Sequence, residues 1–152
     1  MGTSSTFITL ALLSTLIHVG ADSWRGIKPL HSSRTDVERI FGAAGSECKC
    51  TYDSEEFNVF VVYSSGTCNS AESNGWNVPP DTVIRFTVYP KNRPKLSALK
   101  IDKRKYKVTE DQELPGVFYY INEEEGIGFS VENDVVNSFF YIPSIKDNKM
   151  HC

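Results

Sequence analysis

Apolar residues Val37, Ile40 and Phe41 fall at helical spacing, with Ser32 and Ser33 ahead of them as candidate caps, Asp36 in the first turn and Gly42 as a stop. This pattern predicts a helix within the segment 31–41 (HSSRTDVERIF), starting behind the serine caps. The period then shortens from helical to strand-like. Residues 49–52 and Phe57–Tyr63 (FNVFVVY) are short runs rich in β-branched and aromatic residues, with 53–56 as the turn between them. A third strand is expected over 82–89 (TVIRFTVY), where Val83, Arg85 and Thr87 alternate with Ile84, Phe86 and Val88, giving one wet and one buried face; Pro90 ends it. A long polar loop, 64–80, separates the second and third strands and holds Cys68, Gly75, Trp76 and the pair Pro79 and Pro80.

The second half of the chain repeats this order. Leu96, Leu99 and Ile101 open a short, partly helical, lysine-rich stretch, and 109–115 reads as a break. Three strands follow, 117–121 (VFYYI), 126–131 (GIGFSV) and 135–142 (VVNSFFYI), separated by acidic or Asn-Asp turns. The two halves also close alike, DTVIRFTVYP at 81–90 against NDVVNSFFYIP at 133–143. The expectation is therefore an α+β domain: an antiparallel sheet of about six strands from two helix-plus-three-strand halves, with short helices on one face, since each half alone leaves an apolar face to cover.

Targeting sets the boundaries. Residues 7–19 (FITLALLSTLIHV) are apolar and uncharged, and Val19, Gly20 and Ala21 are small enough at the cleavage positions to suit signal peptidase. Residues 1–21 read as a signal peptide and 22–152 as a single secreted or periplasmic domain, because the run falls short of the about 20 residues a membrane span needs. Composition agrees with one globular domain, 40% hydrophobic and 23% charged. With 16 Lys plus Arg against 19 Asp plus Glu, the chain lacks the basic excess of a nucleic-acid binder.

All four cysteines, Cys48, Cys50, Cys68 and Cys152, lie in the mature part, and an even count behind a signal peptide predicts two disulfides in an oxidising compartment. Cys48 and Cys50, two apart on an expected strand, point the same way with too little chain between them to bridge. Two pairings are left: Cys48 with Cys68 and Cys50 with Cys152, which a hairpin turning near Glu55 favours, or Cys50 with Cys68 and Cys48 with Cys152.

Candidate chemistry is sparse. His31 and His151 are the imidazoles left after cleavage, and neither accompanies a nucleophile elbow or a zinc-binding pair, so no catalytic triad, metal site or cofactor is expected. Glu123, Glu124 and Glu125 are consecutive and diverge, which suits a solvated turn better than a calcium site. Lys95, Lys100, Lys103, Arg104, Lys105 and Lys107 form a basic face that answers the acidic turns. The most site-like feature is GWNVPP at 75–80, where Trp76, Asn77 and Pro79 stand on a stiff loop suited to contacting a partner, although Trp76 folded back onto the sheet is the commoner arrangement. Tyr63, Tyr119, Tyr120 and Tyr141 are candidate contact aromatics of the strands.

The segments WRGIKPLHSSRTDVERIFG, CKCTYDSEEFNVFVVYSSGTC, GWNVPPDTVIRFTVYP and YYINEEEGIGFSVENDVVNSFFYIPSIKDNKMHC resemble a family of uncharacterised secreted bacterial proteins, which implies secretion and brings no activity. More loosely, SSRTDVERIFG followed by strands is similar to the helix of BamE-type outer-membrane lipoproteins and of the β-lactamase-inhibitor-protein fold, with Phe41 in place of the usual Leu and no lipobox. That resemblance implies a helix-plus-meander unit, single in the first and duplicated in the second, and carries no function by itself. The functional expectation is a monomeric, non-catalytic module binding another protein through an exposed sheet face and the Trp76 loop. Its alternatives are an inhibitor of a secreted enzyme and a small secreted hydrolase with a carboxylate pair.

Overall fold

The computed structural model describes residues 23–45, 50–68 and 75–152. The expected signal peptide and Cys48 lie outside them. One α-helix, α1 (Arg34–Phe41), precedes seven strands: β1 (Thr51–Asp53), β2 (Phe57–Tyr63), β3 (Val83–Pro90), β4 (Lys107–Glu110), β5 (Val117–Asn122), β6 (Ile127–Glu132) and β7 (Val135–Tyr141), with 3₁₀ turns at Leu96–Ala98, Lys103–Lys105 and Ile145–Met150. All seven form one antiparallel sheet in the order β1-β2-β3-β7-β6-β5-β4. The strand count is therefore seven rather than six. The added strand, β4, falls partly in the stretch expected to be a break; it is an edge strand with all four residues exposed, so it carries no alternation of apolar and polar positions to read.

Helix α1 forms as its capping residues dictate. The Ser33 hydroxyl accepts the Asp36 amide while the Asp36 carboxylate accepts the Ser33 amide, a reciprocal cap, and Gly42 at φ 80° ends the helix by donating to the Glu38 carbonyl. Val37 is fully buried and Phe41 packs against the same core, whereas Ile40 faces outward.

The core occupies one face of the sheet. Val59 and Val61 on β2, Phe86 and Val88 on β3, Phe139 and Tyr141 on β7 and Ile127 and Phe129 on β6 are in mutual register and buried. Val37 and Leu96 belong to the same cluster, and Trp24, Leu99, Ile101 and Tyr106 pack on it, so α1, the N-terminal segment and the 96–106 segment cover this face.

The two halves meet at the central pair β3 and β7. In the first, the Arg34 amide donates to the Asp81 carbonyl and the Val83 amide to the Ser32 carbonyl, both at 2.8 Å; in the second, the Leu96 amide donates to Asp134 and the Val136 amide to Pro94, again both at 2.8 Å. Asp81 and Asp134 share a left-handed backbone, φ 61° and 64°. Each closing strand also carries a bulge: Ile84 is passed over between the pairs Val62 with Arg85 and Tyr63 with Val83, and Asn137 between Ser130 with Ser138 and Val131 with Val136. Counted back from Pro90 and Pro143, the two bulged residues stand at the same position.

The bulge corrects the simple alternation expected of the third strand. An inserted residue reverses the phase, so Val83 joins Phe86 and Val88 in the main core while Ile84 turns to the opposite side.

The cysteines overturn both expected pairings. Cys68 is bonded to Cys152, and Cys50 is itself in a disulfide whose partner lies outside the described residues. Two assumptions behind the expectation fail. Cys50 precedes β1 rather than lying in a strand, and Cys68 is carried beyond the β2 end into a loop that the C-terminus rejoins. There the Cys152 amide donates to the Gly75 carbonyl at 2.7 Å and the Asn77 amide to the Met150 carbonyl at 2.8 Å. No helix among the described residues is long and apolar enough to cross a membrane.

Candidate functional site

Among the described residues, no helix or loop covers the second face of the sheet over most of its width, the cluster around Trp76 and Ile84 closing one end. Across it runs one continuous row of paired residues: Phe60 on β2, Thr87 on β3, Phe140 on β7, Gly128 on β6, Ile121 on β5 and Lys107 on β4. Below and above this row, Val62, Arg85, Tyr89, Tyr119, Val117 and Ile142 are among the further residues lining a shallow open groove of about 750 Å³, which Leu114 also lines. That volume is within the about 300–1,000 Å³ common for binding clefts. Phe60, Tyr89 and Leu114 are 42%, 47% and 59% exposed.

An antiparallel sheet with one wet face ordinarily presents polar residues there. This face does not. β2 places Phe60 and Val62 in the phase opposite its buried valines, and β7 is apolar in both phases around Phe139 and Phe140.

Shape comes from two details. The Phe140 ring lies over Gly128, where a Cβ would collide with the ring's Cε2 and Cζ, so the ring is laid down along the sheet. Thr87, the small residue between Phe60 and Phe140, then forms the floor of a notch walled by two phenylalanines. The polar groups at the far side are mutually satisfied: Ser130 and Ser138 hydroxyls stand 2.8 Å apart, and the Tyr119 hydroxyl donates to Asp111 at 2.9 Å. Asp111 also accepts the Glu113 and Leu114 amides; these bonds hold its carboxyl below the usual range, and the bond to Asp111 raises the Tyr119 phenol. Arg85 is exposed on β3 beside Val62, and no carboxylate among the described residues pairs with it. Glu132 is the one carboxylate among the lining residues.

Of the sequence-predicted contact residues, the structure brings Tyr119 alone into this groove. Trp76 is 9% exposed and packs with Leu30, Val78, Ile84, Val62 and Met150, its ring edge-on to His151 at 4.9 Å; it closes one end of the sheet rather than projecting as a contact. Asn77 and Pro79, its neighbours, are exposed on that loop. Tyr141 is 2% exposed and stacks on Phe86 at 4.6 Å in the main core, where burial raises its phenol. Tyr63 shares a 2.8 Å hydroxyl contact with Tyr52 beneath the Arg34 guanidinium, and Tyr120 stacks on Phe129. Glu125 pairs with Lys105, which joins the acidic run to the basic one, whereas Arg104 pairs with Asp102 inside the basic segment itself. Phe60, Arg85, Thr87 and Phe140 went unmarked as a site. The available signal was the doubled apolar phase of β2 and β7.

No protein-family model, curated protein or solved structure matches the chain.

Proposed function

We propose that the chain is a secreted, non-catalytic module that binds another protein through the open sheet face. The observation that carries this reading is the uncovered row from Phe60 to Ile121, an aromatic and aliphatic surface on a rigid sheet, with the residue types that dominate interface cores and hot spots. The Cys68 to Cys152 disulfide supports an oxidising compartment. Recurrence of the same helix-to-strand bonds and the same bulge supports reading the two halves as copies of one helix-and-meander unit, the arrangement implied by the resemblance to the inhibitor-protein fold. Inhibition of a secreted enzyme is a special case of this binding.

A photoreactive phenylalanine placed at Phe60 or Tyr89, with one at Val108 on the opposite face as control, tests the reading in the protein's native medium. The expected outcome is a single crosslinked protein from the first two sites, competed by excess unlabelled wild type and not by Phe60→Asp. Equal labelling from Val108 would remove the open face as the binding surface.

A further inference from the structure

We infer that the partner presents to this face an extended segment with an acidic side chain two residues from a large apolar one, the carboxylate seated on Arg85 and the apolar group in the notch above Thr87. This rests on the open-face reading of function. Arg85 stands within the apolar lining, beside Val62, on a central strand of the sheet. A partner covering the face strips water from its guanidinium, and a buried cation without an acceptor is strongly unfavourable. No group of the described chain supplies that acceptor. The partner must therefore bring it, and a carboxylate matches the planar guanidinium through two parallel hydrogen bonds. Glu132, by contrast, is the last residue of β6 and exposed, so water still reaches it when the centre is covered.

Spacing fixes the motif. Arg85 and Thr87 are two apart on one strand and point to the same face, about 6.6 Å from one another. An extended partner segment has that same repeat for side chains on one side. One residue of the partner thus meets Arg85 as the residue two away enters between Phe60 and Phe140, where Thr87 leaves space and Gly128 lets the Phe140 ring lie flat.

Selection of hairpin-constrained random loops displayed on phage, using the full disulfide-bonded mature chain as target, tests this. The expected result is enrichment of loops with Asp or Glu two positions from Phe, Leu, Ile or Met. These should lose at least tenfold in affinity on Arg85→Gln, retain more on Arg85→Lys, and lose binding on Thr87→Phe, which fills the notch. Selection on Arg85→Glu should replace the acid by a base. Arg85 is exposed, so its variants keep the fold. Loops abolished by Thr87→Phe yet indifferent to Arg85 would overturn the motif and leave the open face as the binding surface. Loops indifferent to both Thr87→Phe and Phe60→Asp would overturn both.

Discussion

The ring of Phe140 occupies the space that a side chain on Gly128 would need. β6 and β7 pair these two residues directly, so the glycine is a condition for the flat aromatic floor of the groove. Gly128→Ala is expected to destabilise by about 1–3 kcal/mol through overpacking, because the new methyl would also meet the Tyr120 carbonyl oxygen, 2.7 Å away. Thermal denaturation of Gly128→Ala beside Gly128→Ala with Phe140→Leu checks the cause: the smaller side chain should recover part of the loss.

Trp76 and Phe60 make a second, contrasting pair. Trp76 is embedded among Leu30, Val78, Ile84 and Met150. Trp76→Ala should therefore cost about 3–5 kcal/mol, as for other large core truncations, while leaving crosslinking from the open face intact in the folded fraction. Phe60→Ala removes an exposed ring and should change stability by no more than about 0.5 kcal/mol while weakening binding. Denaturant titration of both variants reads the difference directly.

Much of this architecture was legible in the sequence because it rests on short-range rules. The Ser33 and Asp36 cap, the Gly42 stop and the period-two run of β2 act within a few residues and recur where expected, as does the β3 alternation from Arg85 to Val88, beyond the bulge at Ile84. The similar endings of the two halves anticipated the equivalent positions of Ile84 and Asn137, though not the bulges themselves, which come from inter-strand register. Features set by long-range contact were not legible. β4 gains its identity only by pairing with β5, and Cys68 meets Cys152 only because the 3₁₀ turn at Ile145–Met150 brings the C-terminus beside Gly75 and Asn77. The burial of Trp76 was not legible for the same reason. A tryptophan between glycine and prolines signals a contact locally, but the second cluster around Ile84 claims it, and nothing local says that Phe60 and Phe140 line an open groove.

Closing a loop between positions 84 apart, the Cys68 to Cys152 bond restricts the unfolded chain substantially. Replacing both cysteines by serine should cost about 2–5 kcal/mol. The loss should also be uneven. Amides of Cys68, Asn77 and Cys152, which donate to Trp76, Met150 and Gly75, should lose hydrogen-exchange protection first, and that of Val88 in the sheet centre last. Uniform loss of protection would mean that the bond stabilises only through the unfolded state.

Acid should weaken the fold through its two reciprocal caps. The Ser33 amide, the Ser33 hydroxyl and Arg39 hold the Asp36 carboxyl down to about 2. At the C-terminal turn, burial pushes the Asp147 carboxyl up, but the Ser144 hydroxyl and amide and the His31 ring, 3.3 Å away, outweigh it and leave its pKa lowered. A carboxyl whose folded pKa lies below its unfolded value of about 3.9 stabilises the fold above that value and loses the contribution as pH falls through the folded pKa. Melting temperature should thus change little with Asp36 or Asp147 above about pH 5 and fall between about pH 4 and 2. Asp147→Asn should lower stability at neutral pH by on the order of 1 kcal/mol, as loss of a helix cap does, and should flatten the acid limb. Because Asp147 ties the C-terminal turn to His31, the same substitution should loosen the segment that carries Cys152 and leave the open face unchanged, which exchange rates at Cys152 and Val88 measured side by side would report.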